Sequence, residues 1–311
     1  NDVSLIIFVP LTILLFRSAD KEKYILPVIS MENIAAIRGS LLTPFGSPQN
    51  LFLYGQADVT VWQFLLHMSP MMGMSAVLLV IFVLVLYRKD LKEEAVSTET
   101  TALPQATSST KATCSGQSAA LQGSDHHETD LPKESRKGKI YLALFVLVLL
   151  VIVTRTSLWY WAVGIVILGI FFTDRTIFKK VDYVLLLTFL CFFIFSSSIA
   201  ANPGISAFLK EAVAGREYWW AIGLSQIISN VPASIVLYPF TENFAGLIYG
   251  ADTAGLVSLI GSLASVINYR IYVREYPGNG WQFVKVFTLI SWAFFAIVVV
   301  PGYLLSFWKF F

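Results

Sequence analysis

Long apolar runs separated by short polar breaks fill most of the chain. Residues 77–87, 140–153, 159–172 and 286–307 carry almost no charge, and several approach the roughly 20 residues that a helix needs to cross about 30 Å of hydrocarbon. Helices are expected because backbone donors and acceptors in lipid must be satisfied within the segment. The pattern predicts helices over 31–54, 64–87, 140–154, 157–173, 181–200, 250–269 and 286–306, with shorter hairpin arms at 3–16, 218–229 and 231–243. Arms of about 13 residues reach only about 20 Å, too short to span and right for a re-entrant hairpin.

One segment breaks the pattern. Residues 88–139 open with charges from Arg88 to Glu94 and continue as Ser/Thr/Gln/Gly-rich sequence through Cys114 and His126–His127, the composition of a flexible linker. It leaves a first part, 1–87, and a second part, 140–311. Sixteen Lys and Arg gather at the helix ends on the side of the linker, against Arg155, Lys210, Arg216 and Lys309 on the other. The linker is therefore expected in the cytoplasm and the C-terminus outside, in a multi-pass protein of the cell membrane.

Two stretches recur. Asn1 to Thr12 aligns without a gap on Asn230 to Thr241, sharing Asn, Pro and Thr at the same spacing. Thr43-Pro44-Phe45-Gly46-Ser47 aligns on Ser258-Leu259-Ile260-Gly261-Ser262 and the match runs on to Tyr54 and Tyr269, at a constant offset of 215 positions. Matches in the same order predict a duplicated unit. An odd number of crossings between the copies makes them inverted repeats, so the expected fold is an all-α polytopic membrane protein with inverted repeats, broken helices and re-entrant hairpins. On this reading 1–87 is the C-terminal part of the first repeat and 140–311 is the second. The first residues read as the middle of a membrane segment, and a counterpart of 140–229, roughly 90 residues or more, is expected upstream.

The breaks carry the candidate chemistry. Ser229-Asn230-Val231-Pro232 interrupts an apolar stretch with capping residues and a Pro, and Gly39, Thr43-Pro44, Gly46 and Pro48 interrupt the helix near residue 44, as Gly255 and Gly261 do in its partner. Unwound backbone bares carbonyls for a cation and helix N-termini for an anion in a place otherwise hostile to both. The candidate substrate and cation residues are Asn1, Asp2, Gly39, Thr43, Pro44, Gly46, Ser47, Asn50, Ser229, Asn230, Pro232, Ser258, Gly261 and Ser262, with sodium expected at Asn1, Thr43, Ser229, Asn230 and Ser258. Each tip is expected to face its neighbouring break, because a cation needs more oxygens than one tip supplies. Among ionisable groups, Asp2 is a candidate for sodium or a coupling proton, and Arg38 for pairing with Asp2 or with an anionic substrate. Glu242 and Asp252 are expected in hydrated external loops.

Composition agrees: 56% of residues are hydrophobic and 14% charged, with a mean hydropathy of +0.68, more apolar surface than one soluble core hides. The net charge of +2 is scattered and leaves no nucleic-acid footprint. Cys114 and Cys191 suggest neither a disulfide framework nor a metal cluster. An intramembrane enzyme is disfavoured by the lack of a His-Glu-x-x-His run, a Gly-x-Ser-x-Gly elbow or a paired aspartate motif.

The segment 33–50, Asn-Ile-Ala-Ala-Ile-Arg-Gly-Ser-Leu-Leu-Thr-Pro-Phe-Gly-Ser-Pro-Gln-Asn, resembles the signature of the ion transporter superfamily, which includes citrate-transporter-like permeases, divalent-anion/sodium symporters, arsenite permeases and sodium–proton antiporters. Ser229 to Ala233 resembles its second hairpin tip and Asn1-Asp2 the end of its first. The chain departs from the family pattern at Ala35, Ala36 and Arg38. The resemblance implies a scaffold and a transport domain, cation sites between each tip and a helix break, and substrate between the tips. It implies a secondary carrier of a small anion, with a di- or tricarboxylate leading and sodium–proton antiport or arsenite efflux as alternatives. No cofactor is expected beyond Na+ or H+ as coupling ion. The expected partners are the bilayer, the anion, the coupling cation and a second copy of the chain in a homodimer.

Overall fold

The computed structural model describes residues 1–101 and 131–308, with side chains described at 1–88 and 137–308. Cys114 and His126–His127 lie outside these. Among the described residues there are fourteen α-helices and no strand: α1 Asp2–Ser18, α2 Ile25–Ser40, α3 Pro48–Gln56, α4 Val61–Thr101, α5 Leu131–Thr154, α6 Trp159–Thr173, α7 Thr176–Lys180, α8 Tyr183–Ala201, α9 Pro203–Val213, α10 Glu217–Ile228, α11 Asn230–Leu237, α12 Phe244–Ala254, α13 Leu263–Glu275 and α14 Gly280–Leu305. Four stretches, Val61–Arg88, Lys137–Thr154, Tyr183–Ala201 and Gly280–Leu305, are long and apolar enough to cross a bilayer. This is an all-α polytopic membrane protein.

The chain divides into two compact units, Tyr87–Asp182 and a larger one of Asn1–Leu86 with Tyr183–Phe311. In the smaller unit α5 and α6 pack against each other beside an apolar hollow of about 280 Å³ lined by Val148, Ile152, Trp159 and Val163. At the end of α6, Thr176 donates to Asp174 through its hydroxyl (2.6 Å) and its backbone N–H (3.0 Å). These bonds hold the Asp174 carboxyl below its ordinary pKa, so that it stays charged.

Packing in the larger unit crosses between the two repeated stretches. α1 lies on α2 and on α13, while α11 lies on α3 and α12: each arm touches the second half of the other stretch's broken helix. The core under α1 joins Leu5, Val9 and Ile13 to Ile25, Ile29, Tyr272 and Phe283, with Phe283 stacked on Phe287 at 5.5 Å and 11°. In lipid such contacts hold helices through close packing and hydrogen bonds rather than release of water. Accordingly Asn33 Nδ2 donates to Ser265 Oγ (3.0 Å) and Asn268 Nδ2 to the carbonyl of Ile29 (2.8 Å), both across the buried α2–α13 seam. α8 exposes Val184, Leu186, Leu187 and Leu190, as a lipid-facing helix does, and Ser196 Oγ ties it to the carbonyl of Ile235 in α11 (2.8 Å).

Several boundaries move. The expected helix 250–269 is two helices, because Asn243 caps α12 by accepting from the Gly246 N–H (2.9 Å) and the chain unwinds from Gly255 to Ser262. The 31–54 helix likewise splits into α2 and α3. α9 was not expected from the apolar pattern; Asn202 caps it by accepting from Ile205 N–H (3.2 Å), with Pro203 at its first position. Helix α4 runs on to Thr101 and α5 begins at Leu131, both inside the segment read as linker.

Candidate functional site

At each break a tip asparagine meets the corresponding glycine. The terminal amino group of Asn1 donates to the carbonyl of Gly46 (3.2 Å), and the backbone N–H of Asn230 to the carbonyl of Gly261 (3.2 Å). Both glycines are needed for this approach: a Cβ on Gly46 would overlap the carbonyl of Ser40, and one on Gly261 the carbonyl of Ala254. Past each glycine a serine in extended backbone, Ser47 (φ −144°, ψ 152°) or Ser262 (φ −146°, ψ 139°), starts the next helix without capping it through its side chain. The helices α3 and α13 thus begin at buried serines, and their free N–H groups and partial positive charge favour an anion.

The second tip is the more tightly held. Ser229 between α10 and α11 has φ 70° and ψ 159°, a region that only glycine enters easily and that costs other residues of order 1–3 kcal/mol. Asn230 Nδ2 reaches the carbonyl of Ala251 (3.4 Å), and Pro232 is buried in the first turn of α11. Gln226, which the sequence reading missed, spans tip and break: its amide nitrogen Nε2 donates to the Ala254 carbonyl (3.2 Å) and its Oε1 accepts from Ser258 Oγ (2.7 Å). Its signal was a lone long amide in an otherwise apolar arm. Ser229→Gly should remove the backbone strain and raise stability by about 1 kcal/mol; an unfolding temperature in detergent that falls instead would show that the Ser229 hydroxyl contributes more than the strain costs.

At the first break, Thr43 is half-buried and Pro44 buried, the Gly46 N–H donates to the Thr43 carbonyl (3.1 Å), and Gly39 is exposed on the last turn of α2. Asp2 is half-buried on the first turn of α1, with Oδ1 enclosed and without a hydrogen-bond partner. It does not pair with Arg38. Arg38 points instead to the second stretch, where Nη2 lies 3.5 Å from Thr253 Oγ1. Another expectation is overturned: Asp252 is not in a hydrated loop. It is fully buried in α12, and its Oδ1 accepts from Gln49 Nε2 (2.9 Å), because the small residues around it let α3 pack close. Glu242 is exposed, as expected. Glu32 in α2 was also missed; it accepts from Thr12 of α1.

Arg38, Gln49, Asn50, Asp252 and Thr253 therefore form a buried polar centre where the two stretches meet. Carbonyls and a carboxylate suit a cation there; the guanidinium and the α3 N-terminus suit an anion.

The comparisons with known proteins agree with this architecture. The citrate transporter family's profile matches residues 1–261. The chain is 29% identical over 280 residues to inner membrane protein YbiR of Escherichia coli, covering 87% of this chain and 64% of that protein. It is 28% identical over 311 residues to the uncharacterized transporter MJ0456 of Methanocaldococcus jannaschii, covering 99% of this chain and 75% of that protein. The chain thus spans somewhat under two thirds of the length of the first of these relatives and three quarters of the second. No solved structure matches it. With a family match over residues 1–261, through both tips and on to Gly261 in the second break, this chain belongs to the citrate transporter family of membrane transport proteins.

Proposed function

We propose that the chain forms part of a secondary carrier that moves a small anion, by class a di- or tricarboxylate, across the cell membrane, coupled to a cation gradient. One observation carries the reading: at both breaks the tip asparagine reaches the corresponding glycine carbonyl through its main-chain nitrogen, Asn230 by its N–H and Asn1 by the terminal amino group, 3.2 Å in each case. Each such junction sets a serine-started helix N-terminus beside unwound carbonyls, the pairing that lets one site take an anion and a cation together. In this reading Asn1 and Thr43, and Ser229, Asn230 and Ser258, hold the coupling cation. The inverted relation of the repeats supplies alternating access. The linker lies inside and the C-terminus outside.

A second reading, cation–proton antiport, is favoured by the buried Asp252, since an intramembrane carboxylate is the usual carrier of a proton. The full-length protein in proteoliposomes separates the two. Uptake of citrate or succinate that rises with an imposed cation gradient is the expected result. Sodium-driven proton movement with no uptake of either carboxylate would replace the first reading by the second, and uptake of arsenite alone would replace both.

A further inference from the structure

We infer that Arg38 and Asp252 make one compartment that takes a substrate carboxylate and a proton together, with Arg38 holding the carboxylate and Asp252 the proton. This rests on the carboxylate-carrier reading above. Both side chains are buried, Arg38 to 1% exposure and Asp252 to 0%; Arg38 reaches Thr253, the residue after Asp252, and acts on Asp252 through its charge, yet the two are not in ion-pair contact. Each keeps unused bonding capacity: Nε and Nη1 of Arg38 and Oδ2 of Asp252 are enclosed and lack a hydrogen-bond partner. The bond of Arg38 to Thr253 is long at 3.5 Å. Ser47 Oγ, at the start of α3, is also buried and unpartnered, and Asn50, one turn on, stands beside Asp252 without completing a hydrogen bond of good geometry.

Buried polar atoms are ordinarily bonded. A cluster of donors left open around one guanidinium points to an occupant, and the chemistry selects it. The Arg38 fork matches a carboxylate bidentately, and Ser47 and Asn50 in the first turn of α3, the latter beside Asp252, add further donors. Charge decides the rest. Arg38 and Asp252 together are neutral, so an entering carboxylate would leave a net negative charge in a desolvated place, at a cost of several kcal/mol. A proton on Asp252 Oδ2 removes it. Only the Asp252 O–H bond is made on one side of the membrane and broken on the other; the protonated acid then faces the bound carboxylate as a donor instead of repelling it.

The groups around Asp252 fit this role. Arg38 of α2 is the charged group that faces it among the described residues; α3 brings Gln49 and Asn50, and its own helix brings Tyr249 and Thr253. Behind them, Tyr218 of α10 neighbours Arg38, and His67 of α4 lies against the Tyr249 ring at 5.4 Å. Asn230 of α11 is neutral and bonds to the Ala251 carbonyl.

The test uses the full-length protein in proteoliposomes with an entrapped pH indicator, without sodium, and with succinate at a pH where both its carboxylates are ionised. The readout is protons moved per succinate, which is independent of rate. The wild type should carry at least one proton per anion. Asp252→Asn should lower the ratio by one, and Arg38→Gln should weaken succinate binding by about thirtyfold or more, with Arg38→Lys between. An unchanged ratio in Asp252→Asn, or an unchanged succinate affinity in Arg38→Gln, overturns the inference while leaving the carrier reading intact. A wild type that moves succinate only when sodium is added, and then without protons, overturns the inference and leaves the carrier reading intact; one that moves no carboxylate with or without sodium fails the carrier reading and takes the inference with it. Should Asp252→Asn not fold, Asp252→Glu decides: it must keep the proton, and succinate movement without one overturns the assignment.

Discussion

Gly261→Ala should unfold well below the wild-type temperature and lose transport. The new Cβ would overlap the carbonyl of Ala254 and stand 3.1 Å from Gln226 Oε1. Backbone cannot step aside as a side chain can, so the break must open. Overpacking of this kind costs about 1–3 kcal/mol, and opening would also loosen the Asn230–Gly261 and Ser258–Gln226 hydrogen bonds, each contributing about 1 kcal/mol. A combined loss of about 3–5 kcal/mol is a large fraction of the stability of most proteins. Gly46→Ala should behave alike, since its Cβ meets the carbonyl of Ser40. Gly223→Ala in α10, where a Cβ meets nothing within 4 Å, is the control and should be neutral or slightly stabilising. Thermal unfolding in detergent, followed by tryptophan fluorescence, measures all three. Equal midpoints for Gly261→Ala and wild type would refute the close-approach argument.

Asn230→Ala should leave the fold standing and damage the function. The bond from its backbone to Gly261 does not depend on the side chain, and the Nδ2 contact to Ala251 is long at 3.4 Å, so the stability loss should stay near 1 kcal/mol. If the amide oxygen is a cation ligand, apparent affinity for the coupling cation should fall by at least about tenfold. Uptake measured across a series of cation concentrations distinguishes this from a general loss of activity. Normal uptake with unchanged cation dependence would reduce Asn230 to a packing residue.

The spanning helices were legible because lipid demands long uncharged runs, and the breaks because Pro44, Pro48 and Pro232 cannot donate the helical hydrogen bond and Gly46 and Gly261 recur at one spacing. The facing of tip and break followed from the duplicated order of those residues. Asp252 was misplaced for an equally physical reason. Its carboxylate read as a helix end facing water, and nothing local announces that Gln49, some two hundred positions away, will donate to it. Gln226 and Glu32 were passed over because a single polar residue in an apolar run gives no sign of its partner; those partners, Ser258 and Thr12, come from other elements. The pairing of Arg38 failed on direction: its proximity in sequence to the first break suggested Asp2, while α2 turns the side chain toward α12.

Arg38 and Thr253 are separated by 215 positions, the offset that relates the two broken helices, so the two are counterparts in the alignment and they touch. Positions that meet their own counterpart lie on the axis of a duplicated molecule. An ancestor assembled from two identical copies would have set arginine against arginine there, and two guanidinium charges 3.5 Å apart repel by about 5 kcal/mol at an effective dielectric of 20. Off the axis no such conflict exists, and Gly46 and Gly261, Ser47 and Ser262, and Asn1 and Asn230 could stay alike. A duplicated origin would thus put position 38 and its mate under immediate pressure to diverge, with one copy carrying the cation and the other a small hydroxyl.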